Sequence, residues 1–553
     1  MAGSFLKISG GAVYDPANGV DGQIRDIWVQ DTRIVDPPAD PAVRPARVID
    51  AAGLVIMPGG IDMHCHIAGP KVNAARKLRP EEKRHGQVVL RTAQTHSGTL
   101  GSVPSTFATG YKYAGMGYTC AFDAAVPPIA ARHTHEEFRD TPCIDKGFYV
   151  LMGNNHYVMK AIKDRDPERL KHFVAWLLGA AKGYGVKLVN PGGVEVWKHH
   201  VGGNVTELDQ PVDFYDVTSR QILREMARTV DELRLPHPVH IHANNLGVPG
   251  NWRVTLETMK AIEGHRAHLT HIQFHSYGGG EGDESTFNSK VQPLADYVNS
   301  HENLTVDVGQ VMFGDTTSMT GDSPLGYYLH QIYGTKWFSA DTELEAGCGV
   351  APIKYRNKSL VHAWQWAIGL EWYLSVQDPW RVAMSTDHPN GGSFLAYPQI
   401  IRLLMDRTYR QDMMKSVHRA VRTGSAVADM DREYTLNEIA IITRAGPARL
   451  LGLSHKGHLG AGADADITIY TPDANKEVMF QLPRYVIKSG QIVVEEGEMR
   501  EPPNGTTLYV APTYDAARDT QIADWFEQFY SIRFRNYPVS IEHLHPSARV
   551  PCR

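Results

Sequence analysis

The chain begins with short runs in which apolar and polar residues alternate: Leu6-Lys7-Ile8, Asp26-Ile27-Trp28-Val29-Gln30, Arg33-Ile34-Val35 and Arg47-Val48-Ile49-Asp50. Alternation broken by Gly, Asp and Pro predicts short antiparallel strands. The same texture returns far downstream, in Asp466-Ile467-Thr468-Ile469-Tyr470 and in Tyr485-Val486-Ile487-Lys488 followed by Gln491-Ile492-Val493-Val494. A small β-sandwich built from both chain ends, residues 1–56 and 441–500, is therefore expected. Between them the pattern changes. Short apolar runs at 119–123, 147–151, 185–189, 238–242, 267–271, 304–308 and 381–386 take turns with helical stretches such as Pro167–Ala181, Ser219–Leu233 and Leu360–Val376. Repeated strand–helix order implies a parallel sheet. The fold class expected is α/β, a TIM-like (β/α)8 barrel over residues 57–440, with active residues at the C-terminal strand ends. Residues 68–115 are too long and polar for a plain connection and read as an inserted lid or binding loop. Residues 501–553 form a C-terminal extension whose aromatic piece, Ile522–Tyr530, reads as a packing helix.

Polar residues interrupt the apolar runs where a barrel would put its chemistry. The run Leu54–Ile61 leads into Asp62-Met63-His64-Cys65-His66, and positions i and i+2 of a strand share a face. His64 and His66 thus point together, with Cys65 turned away and replaceable by a small apolar residue. Two neutral imidazoles at a strand end can grip a divalent ion. Lys187 lies inside an apolar strand, where an unpaired ammonium is costly. His240 and His242 repeat the i, i+2 pattern, His271 ends the next strand with His275 four residues on, and Asp387 follows a late strand. Any one of these has a bland reading as a hydrogen-bonded core residue. The order His, His, Lys, His, His, Asp at or near strand ends points to a metal site, even in a chain with 26 histidines.

Composition narrows the function classes. A net charge of −5 argues against a nucleic-acid binder. Cys65, Cys120, Cys143, Cys348 and Cys552 are scattered and odd in number, which excludes a disulfide framework and fits a reducing cytoplasm. No apolar stretch approaches the roughly 18 residues of a membrane span. There is no phosphate-cradling G-x-x-x-x-G-K-[ST] motif and no cysteine cluster for iron–sulfur binding, so electron chemistry would have to reside on other chains.

The order His64-x-His66, strand lysine, strand-end histidines and late Asp387 resembles the amidohydrolase superfamily, in the branch with a carboxylated lysine. His64–Ala74, Thr109–Thr119, Val189-Asn190-Pro191-Gly192-Gly193 and Leu269–Gly278 are similar to the formylmethanofuran dehydrogenase alpha-subunit family, over residues 5 to about 500. That family includes subunits of formyltransferase/hydrolase and dehydrogenase complexes. The resemblance implies a two-metal site with zinc as the expected ion. His64, His66 and Asp387 would hold one metal. His242 and His271 would hold the second, and a carboxylated Lys187 would bridge. His242 is preferred to His240 because His242-Ala243-Asn244-Asn245 resembles the strand-end His-Ala-Glu-Asn of hydantoinases, with Asn244 in place of Glu. Asp387 would act as general base and then acid. Lys187 would serve through its carbamate, and His275 would touch substrate. The implied reaction is hydrolysis of an N-formyl amide on a methanofuran-type carrier, with condensation of formate as the reverse. Lys71, Asn73, Lys112 and Arg356 would contact the carrier. Its glutamate-rich tail would meet Lys71, Arg76, Lys77, Arg79, Lys83 and Arg84, and Lys354 would also line the site. Rival readings are a cyclic amidase, against which the long 68–115 segment speaks, and a scaffold that only binds the carrier.

Overall fold

The computed structural model describes all residues except 1–4, 86–87, 90–92, 94, 96–97, 100, 201, 281–282, 335, 337, 340–348 and 553. The side chains of Lys83 and Arg84, and Cys348, lie outside the described residues.

Eight parallel strands form the central barrel: β1 (Gly60–Cys65), β2 (Tyr118–Val126), β3 (Asp145–Leu151), β4 (Gly185–Val189), β5 (Val239–His242), β6 (Ala267–Leu269), β7 (Leu304–Asp307) and β8 (Val382–Ala383). Each pairs with the next in chain order. Helices Pro167–Ala181, Ser219–Glu232, Trp252–Ala261, Val291–Ser300 and Leu360–Ser375 supply crossovers. The first has Asp166 capping Arg169 N and Pro at its start, and Ser219–Glu232 carries a capping box from Thr218 and Gln221. Closure is slight. Between β1 and the segment after β8 runs a single parallel bridge, Cys65 to His388, with the His66 N–H donating to His388 O at 2.7 Å.

Two expected strands are shorter than their apolar runs. β6 stops at Leu269 because His271 turns into the left-handed region at φ 35°. β8 stops at Ala383 because Met384 N–H donates to Ile442 O at 3.0 Å and Ser385 O accepts from Gln310 N–H at 2.8 Å, both outside the ladder. The segment after β1 is not one irregular lid. Helix Pro70–Leu78 starts at once, helix Pro80–His85 follows, and Thr106–Gly115 leads into β2.

Strands from both chain ends hydrogen-bond into one connected nine-stranded sheet. Val55–Pro58 and Ile467–Tyr470 are its central antiparallel pair, and Ile8, Ile27, Ile56, Ile467 and Ile487 belong to a core separate from the barrel's. Pro58 O accepts from the buried guanidinium of Arg444 at 3.0 Å, which ties this sheet to the barrel. In the C-terminal extension the helix spans Asp519–Phe529, with Trp525 against Tyr157 and Phe526 against Trp176. Strand Thr507–Val510 pairs with Lys146 at the start of β3, a connection that the sequence does not announce. Among the described residues no helix is long and apolar enough to cross a membrane.

Candidate metal centre

The floor of the barrel mouth is set by β1. Asp62 is wholly buried; it accepts from Tyr113 Oη at 2.6 Å, from Tyr397 Oη and from His64 N–H at 3.0 Å. Burial pushes its carboxyl up to about 6 against those bonds. Pinned this way, the strand delivers His64 and His66 to one side, while Cys65 Sγ faces Phe122 O at 3.3 Å. His64 Nε2 and His66 Nε2 lie 2.9 and 3.0 Å from the same oxygen, Asp387 Oδ1. His271 joins them: one ligand atom each from His64, His271 and Asp387 fall within 4.8 Å of one another.

Register explains the rest. Leu151, Lys187, His240 and His268 sit level across β3 to β6, and His242 is one layer higher, opposite Val189. The cavity at the mouth is lined by Lys187, His242 and His271 together with His64, His66 and Asp387. Its volume is about 700 Å³. His240 and His275 are not part of this lining. His240 lies beneath His64, and His275 lies behind His271 with ring centres 5.3 Å apart.

The electrostatics suit a bound cation. Lys187 Nζ, His66 Nδ1, His271 Nδ1 and both ring nitrogens of His275 are buried without a hydrogen-bond partner. Native interiors rarely leave such groups unpaired unless they serve a ligand. Burial lowers the Lys187 amine to about 7. Burial also opposes the Asp387 charge, but His271 and His64 hold its carboxyl well below the usual range. Burial drives His271 and His66 well below ordinary imidazole, so both offer lone pairs. Imidazoles and a carboxylate brought together in this way are a donor set for divalent metal ions.

The sequence profile of the amidohydrolase family matches residues 47–494. Protein FwdA of Methanocaldococcus jannaschii is 46% identical over 97% of this chain and 97% of its own length. The chain belongs to the amidohydrolase family. FhcA, of the formyltransferase/hydrolase complex of Methylorubrum extorquens, is 36% identical over 97% of this amidohydrolase and 96% of its own length. The crystal structure of that organism's FhcABCD complex with methylofuran superposes at TM-score 0.92 and 35% identity, covering 99% of this chain and 100% of the matched one. A D-hydantoinase superposes at TM-score 0.50 with 15% identity, a likeness of fold.

The residues expected to meet a carrier separate in the amidohydrolase structure. Arg356 lines the cavity, as do Arg79 and Lys354. Lys71 points inward and donates from Nζ to Ala125 O at 2.8 Å. Asn73 donates from Nδ2 to Glu137 at 2.6 Å, and Arg76 donates to Ile67 O at 3.0 Å and Pro104 O at 2.9 Å; these brace the start of helix Pro70–Leu78. Lys77 is exposed, and neither Asn73 nor Lys112 lines the cavity. Asn244 turns from the mouth, donating to Asn190 Oδ1 at 2.9 Å and Pro191 O at 3.0 Å.

Sequence reasoning missed the groups behind the ligands. Asp322 Oδ2 lies 3.0 Å from His242 Nε2, and its Oδ1 accepts from Asn190 Nδ2 at 3.0 Å. Its only signal is the helix start Asp322-Ser323-Pro324. Asp307 closes β7; it accepts from Ser385 Oγ at 2.5 Å and His271 N–H at 3.0 Å, and it meets His268 Nε2 at 3.1 Å. A carboxylate within the apolar run 304–308 was the available clue. Gly309, at φ 66°, clears the way: a Cβ there would stand 2.4 Å from His271 Cβ. His271 and Asp387 (φ 50°) both hold left-handed backbone, strain of about 1–3 kcal/mol each that such sites tolerate.

Proposed function

We propose that this amidohydrolase is the member of a multisubunit complex that hydrolyses the N-formyl amide of a methanofuran-type one-carbon carrier to formate and the free amine. The observation that carries this reading is the convergence of His64, His66, Lys187, His242, His271 and Asp387 on one cavity, in a chain alike from end to end to FhcA. His64, His66 and Asp387 would hold one divalent ion, zinc by the chemistry of the set, and His242 and His271 would hold the second. Lys187 would serve both as a carbamate, its neutral amine adding to carbon dioxide with release of a proton. An amine lowered to about 7 is substantially neutral near that pH.

Bound there, the two ions supply Lewis acidity toward the formyl oxygen and acidify water. Asp387 takes the proton of the attacking water and passes it to the amine nitrogen as the C–N bond breaks. Asn390 Nδ2 donates to Asp387 Oδ2 at 2.9 Å and orients it for both roles. Arg356, which makes no ion pair among the described residues, and Lys354, paired with Asp315 at 3.2 Å, face the carrier's anionic tail. The buried thiols Cys65, Cys120 and Cys143 support a reducing compartment, the cytoplasm.

The test is metal analysis of the purified complex together with formate release from an N-formylated furan amine and from hydantoin. Two metals per chain and cleavage of the formyl amide alone are expected. Hydantoin cleavage, or a metal-free active protein, would sink the reading. A second reading, which the resemblance to formylmethanofuran dehydrogenase subunits implies, is condensation of formate with the amine at the same site. Amide formation from formate and carrier in the assembled complex is its assay.

A further inference from the structure

Below the candidate metal ligands the barrel interior holds a column of imidazoles that the proposed reaction does not use. His64 Nδ1 lies 2.9 Å from His240 Nε2, His240 Nδ1 lies 2.9 Å from His237 Nε2, and His237 Nδ1 lies 2.9 Å from Leu450 O. All three rings are fully buried. Tyr149 stacks on His240 and His237 at 4.4 and 5.0 Å, and His268 stacks on His240 at 4.8 Å.

The column has one direction. Leu450 O is a carbonyl and can only accept, so His237 carries its proton on Nδ1. A neutral His237 then presents a lone pair on Nε2, and His240 must donate to it from Nδ1. His240 Nε2 is left as an acceptor, which His64 satisfies with an Nδ1 proton. Thr270 Oγ1 and Asp307 Oδ2, the latter 3.3 Å away, can accept from that same nitrogen and reinforce the choice. The lone pair of His64 therefore falls on Nε2, the nitrogen 2.9 Å from Asp387 Oδ1 at the cavity floor. The lower end of the column is a backbone carbonyl and His237 is 0% exposed, so no proton can enter or leave there. That rules out a proton wire and leaves a fixed anchor.

We infer that His240 and His237 are positioning residues that fix the tautomer of His64 through a three-imidazole chain anchored on Leu450 O. The inference rests on the reading of His64 as a metal ligand. Partners behind a metal-bound imidazole are worth about 10–100-fold in metal affinity when removed. The chain passes such an effect one residue further, to a ring two places from the metal.

The experiment compares His237→Gln with His237→Phe in the full-length protein, by zinc(II) competition against a chromophoric chelator and by thermal unfolding. Gln keeps an acceptor oxygen for His240, whereas Phe keeps the ring and deletes the acceptor. Zinc affinity within about threefold of the parent for Gln and about tenfold weaker for Phe is the expected order. A pure packing role gives the reverse order, and that result, or parental affinity in both variants, overturns the anchor. Should the variants not fold, the parent decides. Its 15N-histidine spectra, assigned by 15N-histidine labelling at single positions, should show Nδ1–H tautomers at both residues, and an Nε2–H form at either one overturns the proposal. A parent that binds no zinc would defeat the metal-centre reading while leaving the tautomer test standing.

Discussion

Two clusters of buried charge lie at opposite ends of the barrel, and the difference between them separates a functional site from a structural one. At the N-terminal end, Asp145 of β3 meets Lys488 Nζ at 2.9 Å, and Asp466 meets Lys488 Nζ at 3.0 Å and Lys456 Nζ at 2.8 Å. Thr506 N–H donates to Asp145 at 2.7 Å and Ser489 N–H to Asp466 at 2.9 Å. Asp145, Asp464 and Asp466 come within 4.8 Å of one another, yet two ammonium groups already fill the space a cation would take. At the C-terminal end, Lys187 Nζ and several ring nitrogens are as deeply buried and have no partner. Equal burial with opposite satisfaction means that the first cluster locks the barrel to the small sheet, whereas the second has the unpaired polar atoms that the proposed metal centre would use.

The comparison breaks most sharply at Asp387. Asp387→Asn should cut formyl-amide hydrolysis by about 10³-fold or more, the scale of a lost general acid–base. Comparable steady-state activity would show that the second cluster is no active site. Next come two substitutions of opposite sign. Lys456→Met strands buried carboxylates and should destabilise the protein by about 3–5 kcal/mol. Lys187→Met removes an unpaired buried amine and should stabilise the metal-free protein by about 1–4 kcal/mol while abolishing metal binding. Thermal unfolding beside metal analysis reads both, and a destabilised Lys187→Met would place that lysine in the structural class.

The clusters should also answer pH from opposite sides. In the metal-free protein the unfolded chain holds the Lys187 proton more tightly than the folded one across the interval from about 7 to the ordinary lysine value of 10.5. The parent should therefore gain stability relative to Lys187→Met as pH rises through that window. Burial opposes the charges of Asp145 and Asp466, but Lys456 and Lys488 outweigh it and hold both carboxyls below the usual range. Their contribution is present above roughly pH 4 and fades as pH falls further. Melting curves of the parent and of Asp145→Asn should converge in acid. The smallest effect is expected at Cys65, which faces away from the ligands: Cys65→Ala should cost about 1 kcal/mol and leave metal content unchanged.

Much of this was legible in the chain. Gly185–Val189 is a strand with the predicted bounds and Pro167–Ala181 a helix with the predicted bounds, because an apolar run and a proline-started amphipathic stretch are local signals. The spacing of His64 and His66 gave their common side for the same reason. What stayed hidden is non-local. Asp466 and Lys488 fall inside strand runs whose pattern does not announce a partner, and their meeting with Asp145 and Lys456 needs the small sheet docked under the barrel. Asp322 reads as a helix cap, and His242 is its neighbour only once the excursion after β7 folds back over the mouth. Strand Thr507–Val510 joins the barrel sheet through one residue, Lys146, too little for a pattern to betray.

The slight closure of the barrel gives the metal centre a mechanical meaning. His64 and His66 stand on one side of the seam and Asp387 on the other, and the ladder between those sides is the single bridge from Cys65 to His388. An ion gripped by all three spans the join like a rivet. Stripping it should raise backbone amide exchange first along residues 60–67 and 384–390, ahead of β3 to β6, whose neighbours bind them on both flanks. Loading the proposed centre would then reinforce a seam that the backbone alone closes with one bridge.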